Sequence, residues 1–418
     1  VDPVDEKDIR VRGPLVSVDV DALTYTVALR PFYDRVGDFG EINVKIDDAT
    51  EFEVDEVLLT GVEGLQALAD AGAGTLTVAQ GTLNVAEREF TAAIVLAGSS
   101  VPGHDSDAVK GNVIARNGDE LVVRGGTVIL RDTRAFFRDD VTVTIGPDTK
   151  VYKTAHDEML DIAAISVGQR VTIRGEVTAN DELGVHMDAT QGAVRMHITH
   201  LSGLVKTVVD GQLDMELQTI DRRRAGIFNF AGTGPTVLED ADPDNYEVAT
   251  GNLAMDGQAP GQPVVVFGFP SEFAMAPPDF EGRTLVDYSD VRSSLGVGWG
   301  ADGTTTPFLT IGDDGIVLHN MNEEIDVRHY IKQGPVLIDL TTLSSDTTLV
   351  PPQDGRMLFT IKTTDSIQQY TDFVDFTDAL SLELDGASAA RSMFARGQYD
   401  TDSNVFTAHK LFVYILEP

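Results

Sequence analysis

The chain has 418 residues, and 67 Asp and Glu stand against 31 Lys and Arg, a formal net charge of −36. That balance opposes nucleic acid, whose binding depends on Lys and Arg neutralising phosphate, and it opposes anionic membrane surfaces. A hydrophobic fraction of 42% supports a folded protein, the length suits three or four domains, and the lack of any Cys removes thiol nucleophiles and disulfides.

The N-terminal VDPVDEKD carries no Met and reads as a processed end left by signal-peptide removal, so an exported protein is expected. The longest apolar runs, such as PVVVFGF at 263–269, are too short to cross a bilayer as a helix, and no transmembrane segment is expected. Helical periodicity is scarce. Short β-rich runs alternate with turn residues, the pattern of all-β barrels or sandwiches.

In chain order the runs repeat. VRGPLVSVDV at Val11, VKGNVIARNG at Val109 and LSGLVKTVVDG at Leu201 each place a glycine third: Gly13, Gly111 and Gly203, 98 and 92 residues apart. Asn117-Gly118 and Asp210-Gly211 are hairpin pairs suited to a type I′ turn. A middle element follows, Ile42–Val54 in the first copy and Val141–Lys153 in the second, and 236–248 is a stretched version. Alternation puts Val44 and Ile46 on one face, and Val143 and Ile145 likewise. Gly61–Ala71 has Val62, Leu65 and Leu68 near helical spacing, and Asp157–Ile165 reads as its counterpart.

Then come glycines seven apart: Gly74 and Gly81, Gly168 and Gly175, Gly261 and Gly268. Glycines at strand ends fit the bends of a small, tightly coiled barrel. A closing strand ends each copy, and its FTA opening at Phe90 returns at Phe406. Gly81 lies nine residues before Phe90, and Gly397 nine before Phe406. The predicted fold is therefore all-β, a tandem repeat of small OB-like five-stranded β-barrels over 1–100, 101–196 and 197–290, with a divergent β-domain over 291–418. Joints are expected at Ala97–Asp107 and Asp287–Ser294. Tandem β-sandwiches are the alternative. The fourth copy lacks the glycine pair and carries GVGWGADGTTTPF instead, so its opening strands are not assigned.

This order of elements, with GQRVTIRG, AGSSVPG and FAGTG, resembles an uncharacterised family of exported bacterial proteins, often lipoproteins, built from tandem OB-like domains. The resemblance covers residues 10–290 better than the rest. It implies export, allows a lipid anchor on the precursor, and supplies no catalytic residue.

No catalytic phrase is present: no Gly-x-Ser-x-Gly, P-loop or His-Glu-x-x-His. GVGWG lacks the strand–turn–helix context of a dinucleotide site. His197 and His200, three apart on a strand, point to opposite faces. His104 stands beside aspartates in a joint. Asp240, Asp242 and Asp244, and likewise Asp400, Asp402 and Asn404, place oxygens at alternate loop positions, a spacing that can converge on Ca²⁺. Neither loop is an EF-hand; ordinary acidic turns are the competing reading. Arg222, Arg223 and Arg224 form a basic island able to dock an acidic neighbour, including a second copy. Trp299, the single tryptophan, is read as a core anchor for the fourth unit, with sugar stacking as the alternative.

The expected function is a non-enzymatic structural or assembly protein outside the cytoplasm, self-associating through strand edges at its ends. The alternative is an extracytoplasmic module binding a glycan, a peptide or a divalent ion.

Overall fold

The computed structural model describes residues 6–30, 39–131, 135–153, 159–181, 184–209, 211–255, 257–289, 291–322, 328–384 and 388–416. It is all-β, with closed five-stranded barrels in tandem.

Barrel 1 contains β1 (Glu6–Asp19), β2 (Thr24–Ala28), β3 (Glu41–Lys45), β4 (Glu51–Val54), β5 (Val57–Thr60), α1 (Gly61–Ala71), β6 (Leu76–Asn84) and β7 (Glu89–Ala97). The ring runs β3-β2-β1-β6-β7, and parallel pairing of β3 with β7 closes it. This is OB order, with β4–β5 as a ribbon on β7. Barrel 2 repeats it with β8 (Asp107–Asn117), β9 (Glu120–Ile129), β10 (Ala135–Thr144), β11 (Lys150–Lys153), β12 (Met159–Leu160), β13 (Arg170–Asp181) and β14 (Gly184–His197). Here β10 and β14 close the ring. Barrel 3 uses β15 (Thr199–Val209), β16 (Gln212–Ile220), β17 (Arg223–Arg224), β18 (Tyr246–Ala249), β19 (Pro263–Pro270) and β20 (Phe280–Asp287). Its ring is β15-β19-β20-β18-β16.

The fourth module contains β21 (Arg292–Gly298), β22 (Phe308–Gly312), β23 (Gly315–Leu318), β24 (His329–Gln333), β25 (Val336–Asp339), β26 (Thr348–Val350), β27 (Leu358–Lys362), β28 (Ile367–Tyr370), α2 (Phe373–Glu383), β29 (Ala389–Asp400) and β30 (Val405–Leu416). Its closing half copies barrel 1: α2 leads into β29 and β30, and β30 pairs in parallel with β26 and β27. Its opening half departs. β21 pairs with β24, and among the described residues the ring does not close.

The repeated FTA has a physical meaning. Phe90 opposes Val44 on β3 and Phe406 opposes Leu349 on β26, each at a parallel pairing with the last strand of its module. Both rings are buried, which contributes on the order of 2–3 kcal/mol apiece. The glycines seven apart do two jobs. The first of each pair, Gly74, Gly168 and Gly261, has positive φ (92°, 94° and 88°). The second lies inside its strand, not at the end as expected. A Cβ there would stand 2.0 Å from the Thr91 oxygen at Gly81, 2.3 Å from that of Asp188 at Gly175, and 1.9 Å from that of Glu281 at Gly268. Gly397 has the same relation to Thr407 at 1.8 Å. No other residue fits so close an approach.

Several local expectations change. Gly61–Ala71 is a helix, but Leu65 and Leu68 face the core while Val62 is exposed. Gly64 faces inward because the Phe52 ring lies against it. The counterpart in barrel 2 forms β12 and a 3₁₀ turn at Ile162–Ala164, and residues 154–158 lie outside the described residues. Asn117 pairs with Glu120, so the hairpin turns on Gly118-Asp119 with positive φ at Gly118 alone, not on a type I′ Asn-Gly pair. In the other hairpin Gly211 has positive φ, and Asp210 lies outside the described residues. The joint at 97–107 is packed: Val101 is fully buried with Val78 and Leu96, and Asp107 accepts from the amides of Arg131 and Val177. Of the chain ends, β30 is paired on both edges over 405–407 and 410–414, and Val1–Asp5 and 417–418 lie outside the described residues.

The four modules pack as two compact units. The first holds the described residues up to Thr199 together with Phe228–Asp240 and Phe269–Pro277; the second holds His200–Ile227, Ala241–Gly268 and the described residues from Pro278 onward. Within the first unit, Phe269 joins the barrel 2 core, and Phe273 donates its amide to the Ala163 oxygen while its ring lies under Arg116.

Barrels 1 and 2 meet through a buried carboxylate. Glu53, on the outer side of β4, is 2% exposed. Its Oε1 accepts from Tyr152 Oη at 2.9 Å and lies 2.8 Å from Arg174 Nη2, and its Oε2 is paired with Arg195. Arg174 Nη2 also donates to Tyr152 Oη at 3.0 Å. Glu53 and Tyr152 hold one register position in their two repeats, since Glu53 opposes Leu96 and Tyr152 opposes Arg195 on the closing strands. Removing the carboxylate would leave two buried guanidiniums without it. Glu53→Ala is therefore expected to cost about 3–5 kcal/mol in urea unfolding. A midpoint equal to wild type would show that the cluster contributes nothing.

Candidate functional site

The second unit contains a cleft of about 630 Å³, lined on one side by barrel 3 and on the other by the fourth module. Strand alternation sets its barrel 3 wall. On β19, Val264 and Val266 are fully buried in the barrel, so Phe267 faces out beside Val265. On β15 and β16, Ser202 opposes Thr219, and their hydroxyls lie 2.6 Å apart. His200 stacks on Phe267 with ring centroids 5.6 Å apart, and its Nε2 lies 2.6 Å from Asp221 Oδ1. Asp221 and Arg222 form the turn into β17 with φ of 47° and 67°. That left-handed pair presents Arg222 at the cleft mouth.

The opposite wall comes from Tyr288, just past β20, and from Lys332, Gly334 and Pro335 at the turn between β24 and β25. Gly334 has φ of 56°, and a Cβ there would stand 2.3 Å from the Tyr288 ring, so glycine is what lets the ring lie over this turn. The buried Gln333 holds the neighbouring backbone, donating Nε2 to Ser289 O at 3.0 Å and to Tyr399 O at 3.1 Å. Gln218 on β16 accepts from the Leu337 amide at 2.8 Å, tying the two walls together.

The chemistry of the cleft runs against the composition of the chain. Arg222, Lys332 and His200 line the cleft together with the rings of Phe267 and Tyr288, in a protein of net charge −36. Arg222 and Lys332 form no ion pair among the described residues, and both are exposed. Free cations, hydroxyls and ring faces in one concavity suit an anionic ligand with flat apolar faces.

Of the residues singled out in the sequence, Arg222 and His200 enter this cleft. Arg223 and Arg224 form β17 instead. His197 lies elsewhere, its Nε2 2.8 Å from Thr172 Oγ1, and exposed His104 pairs with Asp105. Trp299 is 1% exposed, packs edge-to-face on Phe308, and anchors the fourth core. Phe267, Tyr288 and Lys332 went unnoticed, because nothing local marks them; they meet only through the fold.

The acidic loops are occupied by turn hydrogen bonds. Asp240 Oδ1 accepts from the Gly234 amide and Asp242 Oδ1 from that of Asp244, while the Asp244 carbonyl accepts from Lys206. Asp400 Oδ1 accepts from the amides of Asp402 and Ser403, and Asn404 Oδ1 from Thr347 and Tyr399. Among the described residues no three His, Asp or Glu side chains are grouped to hold a metal. Among them, too, no helix is long and apolar enough to cross a membrane.

Comparison with protein-family models, with curated proteins and with solved structures finds no match to this chain.

Asp242 does have acidic company, at Asp279. That carboxyl is 5% exposed, and its Oδ2 accepts from the Glu247 amide at 2.9 Å. Burial pushes it up to about 7 from an ordinary 3.8, with Glu247, Asp242 and Asp214 adding to the rise against that hydrogen bond. The folded protein thus holds a proton that the unfolded chain releases. This contribution is full below the unfolded value and is lost as pH rises through the folded one. Asp279→Asn should flatten the fall of melting temperature between about pH 4 and pH 7 and melt higher than wild type above that range. Parallel pH profiles for the two proteins would refute this.

Proposed function

We propose that the chain is a non-enzymatic, exported binding protein whose cleft takes an acidic oligosaccharide. One observation carries this reading: Arg222 and Lys332, unpaired with acids among the described residues, share with Phe267 and Tyr288 the lining of a concavity of ligand size in an otherwise acidic protein. Sugar rings stack by their apolar faces on aromatic side chains, and carboxylate or sulfate groups on the sugar meet the cations. Barrel 3, which supplies one wall of the cleft, is a closed ring and need not rearrange to form it. Calorimetry with oligogalacturonate is expected to show binding that weakens with salt, and none with neutral malto-oligosaccharides. Arg222→Ala and Lys332→Ala should each weaken it about tenfold, near 1.4 kcal/mol. Equal binding of the neutral sugar, or no binding of either, would overturn the proposal.

A second reading, a self-associating structural or surface subunit, is favoured by Val237 and Leu238. These adjacent side chains are 86% and 97% exposed. Water-facing apolar pairs of this kind are natural contacts for another copy. Light scattering in high salt, where the charge is screened, should then show oligomers that Val237→Asp with Leu238→Asp dissolves. A monomer under those conditions would dispose of this reading.

A further inference from the structure

A second, much smaller polar space lies in the first unit, where barrel 2 meets barrel 1 beside Glu53. Its volume is about 30 Å³. Register explains its lining. Lys110 on β8 opposes Thr172 on β13, which opposes Arg195 on β14. Their neighbours Val109, Val171, Ile173 and Val194 are buried inside barrel 2. The period of two therefore sends Lys110, Thr172 and Arg195 to the outer face, and Arg174 joins them two residues on.

The charges there do not balance. Glu53 pairs with Arg174 and Arg195. The half-buried Lys110 has neither an ion pair nor a hydrogen bond among the described residues. Burial, then the positive charges of Arg10, Arg195 and Arg170, bring its ammonium down to about 7. Below about pH 7, where Lys110 is protonated, one carboxylate thus faces three cations around a partly open space. Burying surplus charge of one sign is costly, and a counter-ion relieves it where a neutral water does not. A volume of this size suits a small monatomic anion.

We propose that this space binds a chloride ion, held by Lys110 with Arg174 and Arg195, and that the ion helps to fasten barrel 1 to barrel 2. The proposal is independent of the cleft and its ligand.

The test is thermal unfolding at fixed pH and ionic strength as sodium gluconate is replaced by sodium chloride. Gluconate is the better general stabiliser, so a rise with chloride reports binding to the folded state. The wild type should gain several degrees and saturate. Bromide should substitute, and sulfate at equal ionic strength should not. Lys110→Met should lose the chloride response and, in gluconate, melt no lower than wild type, because a cation without a partner has gone. The chlorine NMR line of the wild type should broaden and sharpen again on adding bromide, a readout that needs no variant. Identical melting in both salts, a chloride response kept by Lys110→Met, or an unbroadened line would each overturn the proposal.

Discussion

The interaction on which the architecture depends is the parallel pairing that closes each small ring, third strand against fifth. To bring those strands together around only five members, the fourth strand must bend sharply over its neighbour. It does so at Gly81, Gly175 and Gly268, where a neighbouring carbonyl occupies the space a side chain would need. The bend is thus bought with backbone freedom, and a buried Phe at the closing pair fills the interior at Phe90 and Phe280. In the fourth module the same bend at Gly397 and the same Phe at 406 survive, although the opening strands pair differently. The closing half is evidently the part of the repeat that tolerates least change.

Closure also decides what the outer faces are free to do. A closed ring satisfies its backbone internally, so residues pointing outward carry no burden of folding their own barrel. In this chain those faces hold much of the positive charge that matters. Arg174, Arg195 and Lys110 stand outside barrel 2 but inside the first unit. Arg222 and Lys332 stand at the cleft of the second. Five of the chain's 31 Lys and Arg lie at these two places.

This division explains what the sequence disclosed. The glycine spacing and the FTA strand were legible because each reflects a backbone constraint satisfied within a few residues. The inward faces of β3 and β10 were legible for the same reason, through Val44, Ile46, Val143 and Ile145. The helix α2 was not read, although Asp372 caps it and Phe373, Phe376 and Leu380 follow at helical spacing; it lies where the repeat had become irregular. The helix expected in barrel 2 shrank to a 3₁₀ turn, since Ile162–Ala164 is a short segment whose burial is decided by tertiary packing. The cleft was legible only at Arg222 and, obliquely, at His200. Its other members come from strands far apart in the chain, and an outward Phe267 looks the same on paper as an inward one. Glu53 was silent for the same reason: an acid on an outer face reads as solvated until another barrel covers it.

The shared register of Glu53 and Tyr152 has a consequence for how such repeats multiply. Duplicated modules that meet through equivalent surfaces can, if identical, meet any copy, and the contact has no built-in end. Here one copy carries an acid and the other a phenol with two arginines nearby. Two first modules brought together by that face would set carboxylate against carboxylate; two second modules would set guanidinium against guanidinium. Only the mixed pair is neutralised. Divergence at a few positions of that face, Glu53 against Tyr152 and Leu96 against Arg195 among them, has turned a generic surface into a lock and its key, so that this contact joins a first module to a second and no other pairing of the two.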